Sequence, residues 1–278
     1  MIPRSRSSNR SSIWFLVAPA ALFMLVFFLY PMAGLLIQGF SEGGKAFLTL
    51  FGTDLYLRVL WATFETAAIV TVAALLLAYP VSYLLATTTR GWRLVGFMVV
   101  LLPFWTSILV RTYAWMVLLG RNGIINRVLL DAGIISSPIT MLNSPFAVQL
   151  GMVHVMLPFM ILPIYNAMLR VDRDLAMAAR SLGAGAFSIF SRIYLPLTMQ
   201  GIIAGCTLVF VLSLGFFITP ALLGGGRVTM FAMVIEQQIR ETLNWPLASA
   251  MSILLLVLTL AVFWLLNRLN VHSRRWSA

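Results

Sequence analysis

The chain has 278 residues, of which 61% are hydrophobic and only 10% charged, and its mean hydropathy is +0.97. A water-soluble domain carries about 25% charged and about 45–50% apolar residues, so water is not the solvent for most of this surface. The 19 Lys+Arg against 8 Asp+Glu leave a net charge of +11; the basic residues are dispersed rather than gathered in a run, which reads as the cytoplasmic marking of a membrane protein and not as a nucleic-acid surface.

Six apolar segments follow one another, at about 13–37, 61–86, 94–118, 144–168, 200–222 and 246–267, each of 22 to 26 residues. A helix rising 1.5 Å per residue needs roughly 20 residues to cross a hydrocarbon core of about 30 Å. Lipid admits only helices or closed barrels, and unalternating runs of this length are helices. The expected fold is an all-α polytopic membrane protein with six transmembrane helices embedded in the lipid bilayer and no separate soluble domain. Residues 1–12 form an N-terminal tail, 13–60 the first span with an outer loop, and 268–278 a C-terminal tail. The apolar core of the first span is about twice the length expected of a cleaved leader, and Pro31 is followed by more apolar sequence.

The second span holds Glu65, roughly 6 Å from its outer end, and the third holds Arg111, roughly 10 Å from its own. An isolated charge in lipid costs about 2.5–3.5 kcal/mol, so a Glu65–Arg111 ion pair is one expectation and separate snorkelling to the outer interface is the other. Pro80, Pro103, Pro158, Pro163, Gly205, Gly215 and Pro220 all fall inside spans. They mark either ordinary membrane-helix irregularity or helices broken around a central path. Cys206 is the one cysteine, which excludes an internal disulfide; its apolar setting reads as a small buried hydrophobe.

With six spans both termini share a side. Twelve arginines (Arg4, Arg6, Arg10, Arg90, Arg93, Arg170, Arg173, Arg180, Arg192, Arg268, Arg274, Arg275) lie on that side and six basic residues on the other. This bias over short loops places the termini in the cytoplasm.

Catalytic and cofactor motifs are absent. There is no HExxH, and His154 and His272 stand apart without carboxylates at metal-ligand spacing. Gly39 to Lys45 fits GxxxxGK, but Ala46 replaces the hydroxyl that would hold Mg²⁺ and no strand precedes it. Gly183-Ala184-Gly185 lacks a third glycine, Ser188 standing there. No metal or cofactor is expected in this chain, and it is not expected to be an enzyme.

The longest cytoplasmic segment, 169–199, carries the argument. Leu175, Ala178, Ala179 and Leu182 recur at helical spacing, so 172–183 reads as an amphipathic helix, with Gly183 supplying a turn where a Cβ would interfere. A second helical stretch, Phe187 to Tyr194, is expected to close at Pro196. Such a surface helix either slots into a groove on a partner or lies flat on the membrane.

Ala178, Ala179, Gly183, Ile193, Leu195 and Pro196 reproduce in identity and spacing the EAA loop of ABC-importer permeases, and the segment resembles that family. Met177 stands where the family has Glu, and Asp174, one turn earlier, is a possible substitute. Arg111-Thr112-Tyr113-Ala114-Trp115 with Gly123-Ile124-Ile125-Asn126, then Thr219-Pro220-Ala221-Leu222-Leu223-Gly224-Gly225 and Asn244-Trp245-Pro246, resemble spermidine/putrescine-type permeases. The likeness covers 61–267. It implies a type I (MetI-like) permease core of five helices, preceded by an N-terminal helix that packs across a partner permease. It also implies a second permease subunit, two ATP-binding cassette subunits that hold the ATP and Mg, and an extracytoplasmic solute-binding protein. The EAA helix would be the coupling helix docking on the ATPase. Under this resemblance Glu65, Arg111, Tyr113, Trp115, Glu236 and Trp245 are candidates for the pathway or outer gate, and loops 119–143 and 223–245 for docking the binding protein. Relatives importing opines, other amines, phosphonates or ferric iron share much of this pattern. A gradient-driven transporter is the competing class, but no inverted repeat is evident.

Overall fold

The computed structural model describes residues 10–273. It is built from helices: α1 (10–40), α2 (Lys45–Gly52), α3 (Asp54–Thr87), α4 (Arg90–Trp105), α5 (Ile108–Leu119), α6 (Ile124–Asp131), α7 (Pro145–Met168), α8 (Arg173–Ser181), α9 (Ala186–Leu214), α10 (Ile218–Leu223), α11 (Phe231–Arg240) and α12 (Trp245–Ser273). Among the described residues five helices are long and apolar enough to cross a membrane, or six if the bent α4–α5 segment is counted as one span. The tails bearing Arg4, Arg6, Arg274 and Arg275 lie outside the described residues.

At the centre, α7 packs against both α3 and α9, which also pack against each other. Lipid offers no hydrophobic drive for helices to associate, so the contact depends on small residues that let backbones approach. α3 presents Ala67, Ala74 and Ala78, all fully buried. α9 presents Gly201 and Gly205: a Cβ on Gly201 would stand 2.6 Å from the Pro163 carbonyl oxygen, and one on Gly205 would stand 2.8 Å from the Met160 sulfur. Between these small faces Met152, Met156 and Met160 of α7, spaced four apart, fill the core. Several span hydroxyls are satisfied within their own helices, Thr71 donating to the Ala67 carbonyl at 2.7 Å and Thr198 to that of Tyr194 at 2.7 Å, whereas the buried hydroxyls of Ser213 and Ser249 have no partner among the described residues. Ser82 instead donates across to the Ile161 carbonyl at 3.2 Å and ties α3 to α7.

A second cluster lies at the end of the bundle away from α8, where Ala46 and Leu50 of α2, Phe231 and Val234 of α11, and Leu247, Ala250 and Met251 of α12 pack together. Thr63 of α3 accepts the Phe231 amide at 2.8 Å and joins this cluster to the core. α1 leans on α12 by its second half, with Gly39 against Ile253 and Ala250. From Val17 to Leu29 it stands free of the fold.

Three expectations need correction. The third span is not one helix: Arg90–Trp105 and Ile108–Asp131 meet at 101°, because Pro103 removes a donor near the end of α4 and Thr106 and Ser107 turn extended. The fifth is longer at one end and interrupted at the other, running Ala186–Leu214 and stopping at Gly215 before α10. Pro196 does not close a helix. The chain widens into a π-helical turn over Phe190–Tyr194, where the Leu195 amide reaches the Phe190 carbonyl, and this slack lets Pro196 sit at the start of the following α-helical stretch.

Candidate functional site

α8 is short and both of its ends are specified locally. The Asp172 carboxylate accepts the Asp174 amide at 2.9 Å and caps the N-terminus. At the other end the Gly183 amide bonds the Arg180 carbonyl and the Ala184 amide the Ala179 carbonyl, both at 2.9 Å, which is the Schellman pattern. It requires a left-handed residue, and Gly183 has φ +83°. The glycine is needed for that φ and not for space, since nothing lies within 4 Å of where its Cβ would be.

Among the described side chains of α8, Ala176 is the one that is buried. Leu175, Met177, Leu182 and Phe187 are exposed, Leu182 to 89% and Phe187 to 81%. Asp174 and Ala178 are exposed and Ala179 is half-buried. The result is an apolar cluster on a polar loop, the usual mark of an interaction surface. Its size and capped ends make it a rigid knob.

The knob is wired to the spans. Arg180 of α8 lines a cleft of about 650 Å³ between α3 and α9, together with Leu76, Tyr79, Tyr83, Phe190 and Tyr194. Two edge-to-face ring pairs span it, Tyr79–Phe190 at 5.5 Å and Tyr83–Tyr194 at 5.2 Å, and the Tyr79 and Thr198 hydroxyls meet at 3.1 Å. Leu195 stands on the cleft wall, Ile193 is half-buried beside it and Pro196 is exposed. The aromatic pairs at 79/83 and 190/194, each four apart, are the sequence signal for this cleft, which reading the chain span by span does not join up.

The pathway candidates do not gather into one site. Arg111 does not pair with Glu65. Its guanidinium turns back across the α4–α5 bend and donates to the carbonyl oxygens of Pro103 and Thr106, the latter at 3.1 Å. It therefore adds donors to carbonyls at the end of the broken helix, where the Pro103 oxygen also accepts from the Thr106 hydroxyl at 3.0 Å. Its Nε is buried without a partner. Trp115, one turn on, donates from Nε1 to His154 Nδ1 at 3.0 Å and fastens α5 to α7, a role for His154 that its isolation in the sequence concealed. Glu65 is exposed on α3, and Tyr113 and Trp245 are exposed on α5 and α12. Glu236 is held by Arg240 one turn later at 2.9 Å.

The two expected outer loops are ordered by helices of their own. Asn126 on α6 is fully buried. Its Nδ2 donates to the carbonyls of Gly120 and Ile139 at 3.1 and 3.0 Å, and its Oδ1 accepts the Ile139 amide at 2.9 Å. One side chain thereby closes the 120–139 loop. α11 is anchored through Phe231, as described above.

Comparison with known proteins agrees with this architecture. The family model described as binding-protein-dependent transport system inner membrane component matches residues 78–275. The spermidine/putrescine transport system permease protein PotB of Haemophilus influenzae is 40% identical over 258 residues, covering 93% of this chain and 90% of that one. Its namesake from Escherichia coli K12 is 39% identical over 218 residues, covering 77% and 79%. Among solved structures, a chain of a bacterial alginate ABC transporter in complex with an alginate-bound periplasmic protein has the same fold, with a TM-score of 0.79 at 19% identity and 93% of each chain covered. The chain belongs to the family of inner-membrane permease components of binding-protein-dependent ABC importers.

Proposed function

We propose that this chain is one of two permease subunits of a polyamine importer and forms half of the path for putrescine or spermidine. The observation that carries the reading is the 40% identity, over nearly the whole chain, to a spermidine/putrescine permease. The exposed apolar knob of α8 supports the coupling half of it. In this reading two ATP-binding cassette subunits bind Mg-ATP, and a cleft on each permease-facing side receives a coupling helix. ATP-driven closure of the pair pushes α8. Because Arg180 lines the same cleft as Tyr79 and Tyr194, the push reaches α3 and α9 together, and the helices rock open on the opposite side. There α6 and α11, fixed by Asn126 and by the Thr63–Phe231 bond, meet the loaded solute-binding protein. Both termini face the cytoplasm, consistent with the arginine distribution.

The test is ATP hydrolysis by the complex purified through this chain, with its binding protein and a panel of solutes. Stimulation by putrescine or spermidine alone is the expected result. Stimulation by a different solute would keep the importer and discard the polyamine. Failure of any ATPase subunit to co-purify from mild detergent, or to bind when added back, would discard the coupling role of α8.

A further inference from the structure

The cleft of about 650 Å³ between α3 and α9 runs inward from the ends of these helices nearest α8. On α3, Tyr83 stands four residues before the last, Thr87, and Leu76 seven residues before Tyr83, roughly 6 Å and then roughly 10 Å further in at 1.5 Å per residue. The deep walls are apolar, Leu75 and Leu76 on α3 and Met199 and Ile202 on α9. The Tyr79 hydroxyl among them is taken up by Thr198 at 3.1 Å. Arg180 is the one charged residue on the lining, and it enters from α8, outside the spans. Its guanidinium has no ion pair or hydrogen bond among the described residues, and the Tyr83 hydroxyl makes no hydrogen bond among them.

We propose that the cleft holds an anionic phospholipid of the cytoplasmic leaflet, with its phosphate on Arg180 and Tyr83 and one acyl chain lying between α3 and α9. The volume falls within the roughly 300–1,000 Å³ of small-molecule sites. Empty, such a cleft leaves its walls without contacts, and water is a poor filling for apolar walls. A guanidinium presents two parallel N–H donors to a phosphate, and Tyr83 adds a hydroxyl at the depth where tyrosines gather in membranes. Basic pockets between spans on the cytoplasmic side take acidic head groups, and the arginine bias of the chain marks that side. A choline or ethanolamine head group sets a cation beside Arg180 and is the poorer match. The chain is what separates this ligand from free phosphate. Arg180 is exposed, and an exposed charge holds a small ion weakly in water, whereas burial of a chain adds affinity with each methylene. The lipid touches α8 by its head and α3 and α9 by its chain, so it bridges the coupling helix and the spans. This holds whichever solute the importer carries.

The test uses the whole complex, extracted in mild detergent from vesicles of phosphatidylcholine and phosphatidylglycerol in equal parts, washed, and read by native mass spectrometry for the lipid that stays bound. The variants are Arg180→Gln, Arg180→Lys and Met199→Trp, the last filling the cleft from within the spans and so giving a reading even where Arg180→Gln weakens the assembly. The parent is expected to hold phosphatidylglycerol in preference to phosphatidylcholine. Retention should fall several-fold in Arg180→Gln and in Met199→Trp and be kept in Arg180→Lys. Undiminished phosphatidylglycerol in either Arg180→Gln or Met199→Trp would overturn the proposal. So would a parent that holds none, which is the result if the second permease covers the cleft. Release of the lipid by millimolar inorganic phosphate would also overturn it, leaving a site for a free anion in which the chain has no part.

Discussion

Two glycines in this chain are required for opposite reasons, and substitution separates them. Gly183 adopts φ +83° in open space, whereas Gly201 has ordinary helical geometry but no room, the Pro163 oxygen standing 2.6 Å from a Cβ. Left-handed backbone costs an ordinary residue roughly 1–2 kcal/mol, with Asn among the least penalised. Overpacking a tight contact costs about 1–3 kcal/mol. Gly183→Asn should therefore leave the thermal midpoint of the purified complex nearly unchanged, and Gly201→Asn should lower it and reduce the amount of complex recovered. Gly183→Ala should fall between them, and its loss should appear in ATPase stimulation more than in the midpoint, since α8 is peripheral to the core. A Gly201→Asn complex as heat-resistant as the parent would mean that α7 and α9 are not in van der Waals contact there.

Asn126 makes the corresponding argument for a whole element. Three hydrogen bonds converge on one buried amide, and each buried group left unsatisfied costs about 1–3 kcal/mol. Asn126→Ala should leave the Ile139 amide without its acceptor and remove one of the two donors at each of the Gly120 and Ile139 carbonyls, which keep the Gly123 and Met141 amides, making 120–139 sensitive to limited proteolysis while the spans stay resistant. Asn126→Asp should rescue only the Ile139 amide and should be intermediate. Loss of stimulation by the binding protein with basal ATP hydrolysis kept would place the effect in the outer loop; equal loss of both would mean the whole bundle had been disturbed. Elements were legible to different degrees, for physical reasons. Length and hydropathy mark the spans because the cost of burying backbone in lipid is the same for any sequence. They are blind to bends, since Trp105 to Ile108 stays apolar enough to extend a hydrophobic run across a 101° corner. Arg111 looked like half of an ion pair because charge in lipid demands a partner. It found carbonyl oxygens of the broken helix, and no spacing rule could announce those before the break was known. The π-helical turn before Pro196 was equally hidden, because proline ends a helix only where no extra residue is available to absorb the missing donor. The helix at 172–183 and its glycine turn were legible, since a C-terminal cap such as Gly183 is decided within a few residues; the cap at Asp172 went unread.

At the scale of the whole molecule the lone chain is incomplete. Among the described residues, the side chains of α1 from Val17 to Leu29 are exposed, as are Leu175, Met177, Leu182 and Phe187 on and after α8. The first can be met by lipid or by the second permease. The second, around the turn between α8 and α9, is costly to leave in water and is met by a protein groove in the coupling reading. Leu182 and Phe187 should then be the anchors of the ATPase interface, since large apolar groups at the centre of a patch dominate binding. Truncating such an anchor costs about 2 kcal/mol or more, which is about thirtyfold in affinity. Leu182→Ala and Phe187→Ala should release the ATPase subunit during size-exclusion chromatography at concentrations where the parent complex holds together, and added ATPase in excess should restore hydrolysis. Substitution of Met177, which is exposed, tests the chemistry of the groove that the coupling reading requires. Met177→Leu conserves volume and should cost less than about 1.5 kcal/mol, leaving coupling intact. Met177→Glu places a charge where this chain offers a thioether. If the partner groove is apolar at that point, the variant should bind worse than Met177→Ala, because a carboxylate loses its hydration without gaining a counterion. If it binds better than the parent, a cation is waiting in the groove, and the packing account of α8 must be replaced by an electrostatic one.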